Sequence, residues 1–373
     1  MLLLLPSLLL LLLLAPPASA EPAGPRFLTV RPGGASGPLA LYDLETLRAG
    51  VRLPPGLRSA DGRSFLAARV AGTRTALVRY ALPSGAAAGR GSVRGRYSLA
   101  AVSSDGARVV LASRAEPGRT TFAVVSTSGW RVQRRMTLAG AYGVEALSPD
   151  GSRLFLIRYD RGGYNLRLYD LRTGRLAFTP LAEGASAFGK MVGLGWTSIP
   201  TRDGRWLLTL YIKPGGGGFI HALDLRGAVG HCLDLPAGFT DAATIRTASL
   251  ALSPDETSLY VASPLAGLLL VLDLNGPRIA KEVRIAPSVG SAAPATRPVA
   301  ATAAVSPGGE TLAFALETRI WSYRPGAGAV AAPIAVGDPV FGLGFTPDGR
   351  RLVAVRPDGR VTALDATTRR STR

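Results

Sequence analysis

Two histidines and one cysteine are the whole supply of imidazole and thiol in these 373 residues, and they lie close together as His221, His231 and Cys232. Such a trio could ligate a metal or pair a nucleophile with a base. Its spacing argues against both. Read as a hairpin with a five-residue loop, FIHALDL, RGAVG and HCLDL oppose His231 to Leu225 and His221 to Leu235, which leaves the imidazoles roughly 13 Å apart at ~3.3 Å per residue. A three-residue loop would bring them to a diagonal, yet Cys232 would still point to the other face. The expectation is two half-buried strand histidines, a core cysteine and no metal site. No G-x-S-x-G elbow occurs, and KPGGGG (213–218) lacks the strand-loop-helix context and the Lys-Ser/Thr that a phosphate cradle needs. No catalytic residue can be named, and no cofactor is expected.

Four residues remain as binding candidates. Tyr142 and Glu145 lie in AYGVEALSPDG, Trp196 in GLGWTSIP and Arg246 in TIRTASLALSPDE. Each is read as lying just before a turn on an inner strand otherwise rich in Ala, Gly and Val, where the inner strands meet the central channel. A solvated channel lining, or a Glu–Arg pair between neighbouring units, explains them equally well.

What must position them is a repeat. SADGR around Asp61, SSDGA around Asp105, SPDGS around Asp150, TRDGR around Asp203, SPDET around Asp255, SPGGE around Gly308 and TPDGR around Asp348 recur at intervals of 40 to 53 residues. Ser or Thr, Pro, Asp and Gly reverse a chain within four residues, and an aspartate that recurs in six of the seven units is a turn former rather than a site. Apolar, β-rich runs such as RLFLIRY and SLYVASP follow each turn, and no helix of ordinary length is visible. The expected fold is all-β, a propeller of four-stranded antiparallel blades. Seven turns favour seven blades, with the ring closed by pairing of N- and C-terminal strands. The extra hairpin RFLTVRP and PLALYDLET (26–46) keeps open eight blades, each terminal one lacking a strand.

The segments ALSPDGSRLFLIRYDRGGYNLRLYDLRTGRL (146–176) and LALSPDETSLYVASPLAGLLLVLDLNG (250–276) resemble the blades of extracytoplasmic bacterial propellers of the WD-repeat-like, TolB-type and YVTN-type group. The resemblance implies the fold and not a function. Gly308 in place of the turn aspartate, Glu256 in place of glycine and SYRPG (322–326) in place of the usual Asp-Leu depart from it. Quinone-dependent propeller enzymes are similar in architecture, but their repeated Trp-Gly signature is missing.

Residues 1–20 read as a signal peptide: an apolar core from Leu2 to Leu14, then Ala18-Ser19-Ala20 before Glu21. The core is too short and too Pro-broken for a stable transmembrane anchor. Residues 21–373 read as a single propeller domain, monomeric, secreted or periplasmic. The net charge of +18 comes from 43 basic and 25 acidic residues, and only Lys190, Lys213 and Lys281 are lysines. It is diffuse rather than clustered, which with the export signal argues against nucleic acid. Loops between second and third strands carry nine basic residues against four acidic ones, on the face whose loops are irregular. The expected function is a non-catalytic scaffold that binds an envelope protein or anionic polymer through that face. The alternative is a lactonase-like or quinoprotein-like enzyme at the mouth of the central channel.

Overall fold

The computed structural model describes residues 27–30, 38–114, 116–181, 190–285, 301–368 and 370. The signal-peptide reading, the loop 286–298 and Arg31 lie outside them. Eight antiparallel sheets follow one another along the chain, and within each sheet the strands pair in sequence order. The first (27–53) and the eighth (342–365) have three strands. The six between them, over 56–94, 98–139, 141–176, 194–234, 249–284 and 301–335, have four.

The expected all-β propeller of four-stranded blades is thus present, with eight sheets in place of the favoured seven. The count of turns missed one sheet for a structural reason. In the first sheet the strand Leu39–Asp43 ends in an aspartate whose Oδ1 accepts the amides of Glu45 (2.9 Å) and Thr46 (2.7 Å). Asp170, Asp224 and Asp365 do the same at the ends of the third strands of their sheets. The first sheet therefore holds second, third and fourth strands, and the Asp-Gly turn is lost with its innermost one. No strand pairing among the described residues joins it to the eighth sheet. The two meet through side chains, with Val30, Ala40 and Tyr42 sharing a buried cluster with Val355.

Every other apolar cluster also bridges neighbouring sheets. Phe65 packs with Leu39, Leu41 and Leu53, Leu156 with Phe122, Leu270 with Leu208, and Phe345 with Ile320. One small sheet cannot bury both of its faces, so the core lies between sheets and not within any one of them.

The turns repeat at atomic level. In the six that carry Asp, the preceding Ser or Thr hydroxyl donates to the carboxylate, as from Ser148 Oγ to Asp150 Oδ1 at 2.6 Å. The same carboxylate oxygen accepts the amide two residues on, and the hydroxyl accepts the amide that opens the next strand. Where Gly308 stands, Glu310 reaches back to take the Ser306 hydroxyl at 3.0 Å, so the carboxylate has moved two positions along the chain. Glu256 occupies the glycine position with φ 57°, a conformation that favours glycine. Its carboxylate receives the Arg202 amide at 2.9 Å and Arg202 Nε at 3.1 Å, tying the fifth sheet's turn to the sixth's.

Burial alone would raise the Asp150 carboxyl, but hydrogen bonds from Ser148, from the Ser152 hydroxyl and from the Ser152 amide, with the Arg153 charge, outweigh it and hold it near 2. The carboxylate is a bonded structural part. Asp150→Ala is expected to lower stability by about 1–2 kcal/mol, the size of a lost hydrogen-bonded charged acceptor, with no selective loss of binding. Thermal melts of the variant beside a binding assay check both halves. A variant as stable as wild type would show that the network contributes nothing.

Candidate binding cleft

Three successive inner strands carry a β-bulge. In Ser98–Val102 the register jumps between Leu99 and Ala101, in Ala141–Leu147 between Val144 and Ala146, and in Leu194–Pro200 between Gly195 and Thr197. The extra residues are Ala100, Glu145 and Trp196. A bulge interrupts the strict alternation of a strand and re-aims the inserted side chain. All three line one cleft of about 560 Å³, walled also by Tyr159, Tyr164 and Tyr211. Two of the four sequence candidates are therefore inserted residues at the same cavity.

Arg246 joins them by a different route. Sequence placed it on an inner strand, but it is the last residue of a one-turn helix, Ala242–Arg246. Asp241 caps that turn by accepting the Thr244 amide at 2.8 Å, while buried Ile245 anchors it between the fifth and sixth sheets. The turn carries Arg246 over Trp196, with the guanidinium carbon 5.5 Å from the ring centroid, and Trp196 Nε1 donates to the Arg246 carbonyl at 3.2 Å. The indole remains 45% exposed.

Tyr142 does not reach the cleft. Its ring is buried between the third and fourth sheets, and its amide donates to Thr120 Oγ1, which in turn donates to the Gly140 carbonyl. Tyr97, Thr75 and Gly95 repeat this arrangement one sheet earlier, so the Tyr142 ring follows the repeat of the blades. Its contribution is its carbonyl, which accepts Arg114 Nη2 at 2.9 Å. That bond holds the Arg114 guanidinium 5.7 Å from the centre of the Tyr159 ring.

Sequence reasoning missed the tyrosines. Tyr211 stacks on Phe219 at 4.8 Å and on Tyr164 at 6.0 Å, and Tyr164 meets Tyr159 at 6.2 Å. Burial first, then the negative charge of Glu145, pushes the Tyr211 hydroxyl well above its ordinary value, so it stays protonated at neutral pH. The only signal for these rings was their place beside apolar runs, which buried core aromatics share.

The histidine hairpin is corrected. Asp224 pairs with Val229 around a four-residue loop, which sets His221 opposite Cys232 and Ala222 opposite His231. His221 and Cys232 therefore share one face of the sheet and His231 takes the other. His221 is buried rather than half-buried, edge-on to Tyr211, and Cys232 is exposed rather than core. Among the described residues no group of three or more His, Cys, Asp or Glu is placed to hold a metal ion.

The loop-face charges sort themselves. Lys213 pairs with Asp234, Arg356 with Asp338 and Arg360 with Asp358. Around the cleft, Arg114 and Arg246 lie on aromatic rings and Lys190 donates to the Arg161 carbonyl at 2.9 Å; none of the three has a carboxylate partner among the described residues.

No protein-family model matches the chain, and no curated protein matches it. Solved structures do. It is similar to the dihydro-heme d1 dehydrogenase NirN in complex with DHE, at 17% identity and a TM-score of 0.55 over 96% of this chain and 74% of that one. It is also similar to the β-propeller domain of Cps50 (Swd1) from Myceliophteria thermophila (13%, TM-score 0.43, 82% and 94% covered) and to TolB from Acinetobacter baumannii (16%, 0.42, 69% and 63%). At these identities the likeness is one of fold, a β-propeller. No helix among the described residues is long and apolar enough to cross a membrane.

Proposed function

We propose that this chain is an exported, non-catalytic propeller that binds an envelope macromolecule on its irregular loop face, with the cleft of Glu145 and Trp196 as the point of contact. The observation that carries this reading is the row of three bulges, which turns Ala100, Glu145 and Trp196 out of their strands into a single cavity. A half-exposed indole stacked under an arginine is the composition of an interface anchor. A second reading, an enzyme working through Glu145 with a metal or bound cofactor, is favoured by the placement of that carboxylate beside the protonated Tyr211 hydroxyl.

One experiment separates the two. Immobilised mature protein should capture a specific partner from envelope extract, and Trp196→Ala should weaken capture by about tenfold or more, the usual size of a lost aromatic anchor. Metal analysis and an absorption spectrum of the purified protein are expected to show neither stoichiometric metal nor chromophore. Finding either one, with capture indifferent to Trp196, would move the assignment to the enzyme.

A further inference from the structure

Resting on the binding reading, we propose that the partner segment received at the cleft is an acidic, apolar-studded peptide, with a carboxylate on Arg246 and a second on Arg114. Both guanidiniums are held in place before any ligand arrives. Arg246 lies on Trp196, whose ring nitrogen is bonded back to the Arg246 carbonyl, and Arg114 is bonded to the Tyr142 carbonyl above Tyr159. A planar fork fixed in this way loses little freedom when it takes a carboxylate in the bidentate manner. Neither has an acidic partner among the described residues, whereas Lys213, Arg356 and Arg360 on other loops of that face do. Lys190, beside Arg161, extends the positive rim.

The strand that carries Trp196 supplies apolar surface: Leu194, 60% exposed, lines the cleft with Trp196, and Val192, 44% exposed, lies just before that strand. A run of exposed apolar side chains beside fixed arginines matches a peptide that alternates acidic and apolar residues. It suits an anionic sugar polymer less well. Sugars lie flat on open aromatic faces, and here the two exposed rings of the cleft, Tyr159 and Trp196, each already have a guanidinium over one face.

The test uses the whole mature chain and fluorescence anisotropy with a labelled peptide of alternating Glu and Leu. It should bind, weaken with added salt, and exceed the matching Gln–Leu peptide by about tenfold. Arg246→Ala and Arg114→Ala should each reduce affinity by about tenfold, and Arg246→Lys should recover only part, because an ammonium cannot form the fork. Arg131→Ala, on the opposite face, should change nothing. Equal binding of the two peptides, no binding, or binding indifferent to both arginines overturns the proposal. So does polygalacturonate binding more tightly than the peptide in an Arg246-dependent manner. If Trp196-dependent partner capture persists while the Glu–Leu peptide fails, the binding reading stands and only the acidic-peptide class falls.

Discussion

Gly204→Val is expected to destabilise the fold by about 3–5 kcal/mol, well beyond the same change at the equivalent glycine of the second sheet. Gly62, Gly151 and Gly204 hold the same turn position with φ of 71°, 66° and 68°. Valine in that left-handed region is strained wherever it is placed, at about 1–3 kcal/mol. What differs is the surroundings. A Cβ at Gly62 would meet nothing within 4 Å, so strain is the whole effect there. At Gly151 it would run into the guanidinium of Arg108, the end of a flexible side chain that can swing away. At Gly204 it would lie 2.6 Å from the Cβ of Ser104, in the third sheet's turn, with Pro149 of the fourth close behind. Those atoms belong to the hydrogen-bonded turns of the third and fourth blades rather than to the end of a flexible side chain, so the overpacking cost of about 1–3 kcal/mol adds to the strain. Thermal and denaturant melts of the three valine variants should rank Gly62, Gly151, Gly204 in rising order of damage. Equal damage at all three would mean that contact between turns does not help hold the blades together.

That series depends on a feature which was legible in the sequence, the Asp-Gly turn. The residues that make it are local, and the hydrogen bonds that hold Asp150 between Ser148 and Ser152 each join residues two positions apart, so the local sequence alone carried the information. The number of blades was less legible. A blade was recognised by its turn, and the first sheet lacks the strand that would have carried one. Its signature was present in Asp43, whose role only becomes clear beside Asp170 and Asp224.

The candidate cleft was legible in part, and for a different reason. Glu145 and Trp196 stood out because they are large or charged among small residues, yet the bulges that aim them come from register, which depends on the partner strand. Arg246 was found as a residue but placed on the wrong element, since its one-turn helix owes its form to the Asp241 cap and to Ile245 in the core. Tyr142 lies apart from the cleft, although its sequence neighbours resemble those of Glu145 three residues on, because its ring follows the repeat set by Tyr97.

The hairpin that misled the metal argument yields the second large effect. His221 is 1% exposed, faces Thr209 on one neighbouring strand and Cys232 on the other, and meets the edge of Tyr211. Burial first, and the nearby His231 second, push its pKa down from 6.5 to about 4. The folded state therefore holds it neutral, while the unfolded chain takes up a proton below 6.5. Its contribution to stability is complete above that value and is lost as pH falls from 6.5 toward 4, by about 3 kcal/mol in total at 1.36 kcal/mol per unit. The turn aspartates act in a separate window. Asp105, Asp150, Asp203, Asp255 and Asp348 are all held below their ordinary value, so their share is intact above about pH 4 and disappears only below it. Denaturant titrations at a series of pH values should thus fall in two stages. His221→Leu, which keeps an apolar side chain of similar size but cannot titrate, should flatten the upper stage and leave the lower one. If the variant declines between pH 6.5 and 4 as steeply as the wild type, His221 is not held neutral in the fold.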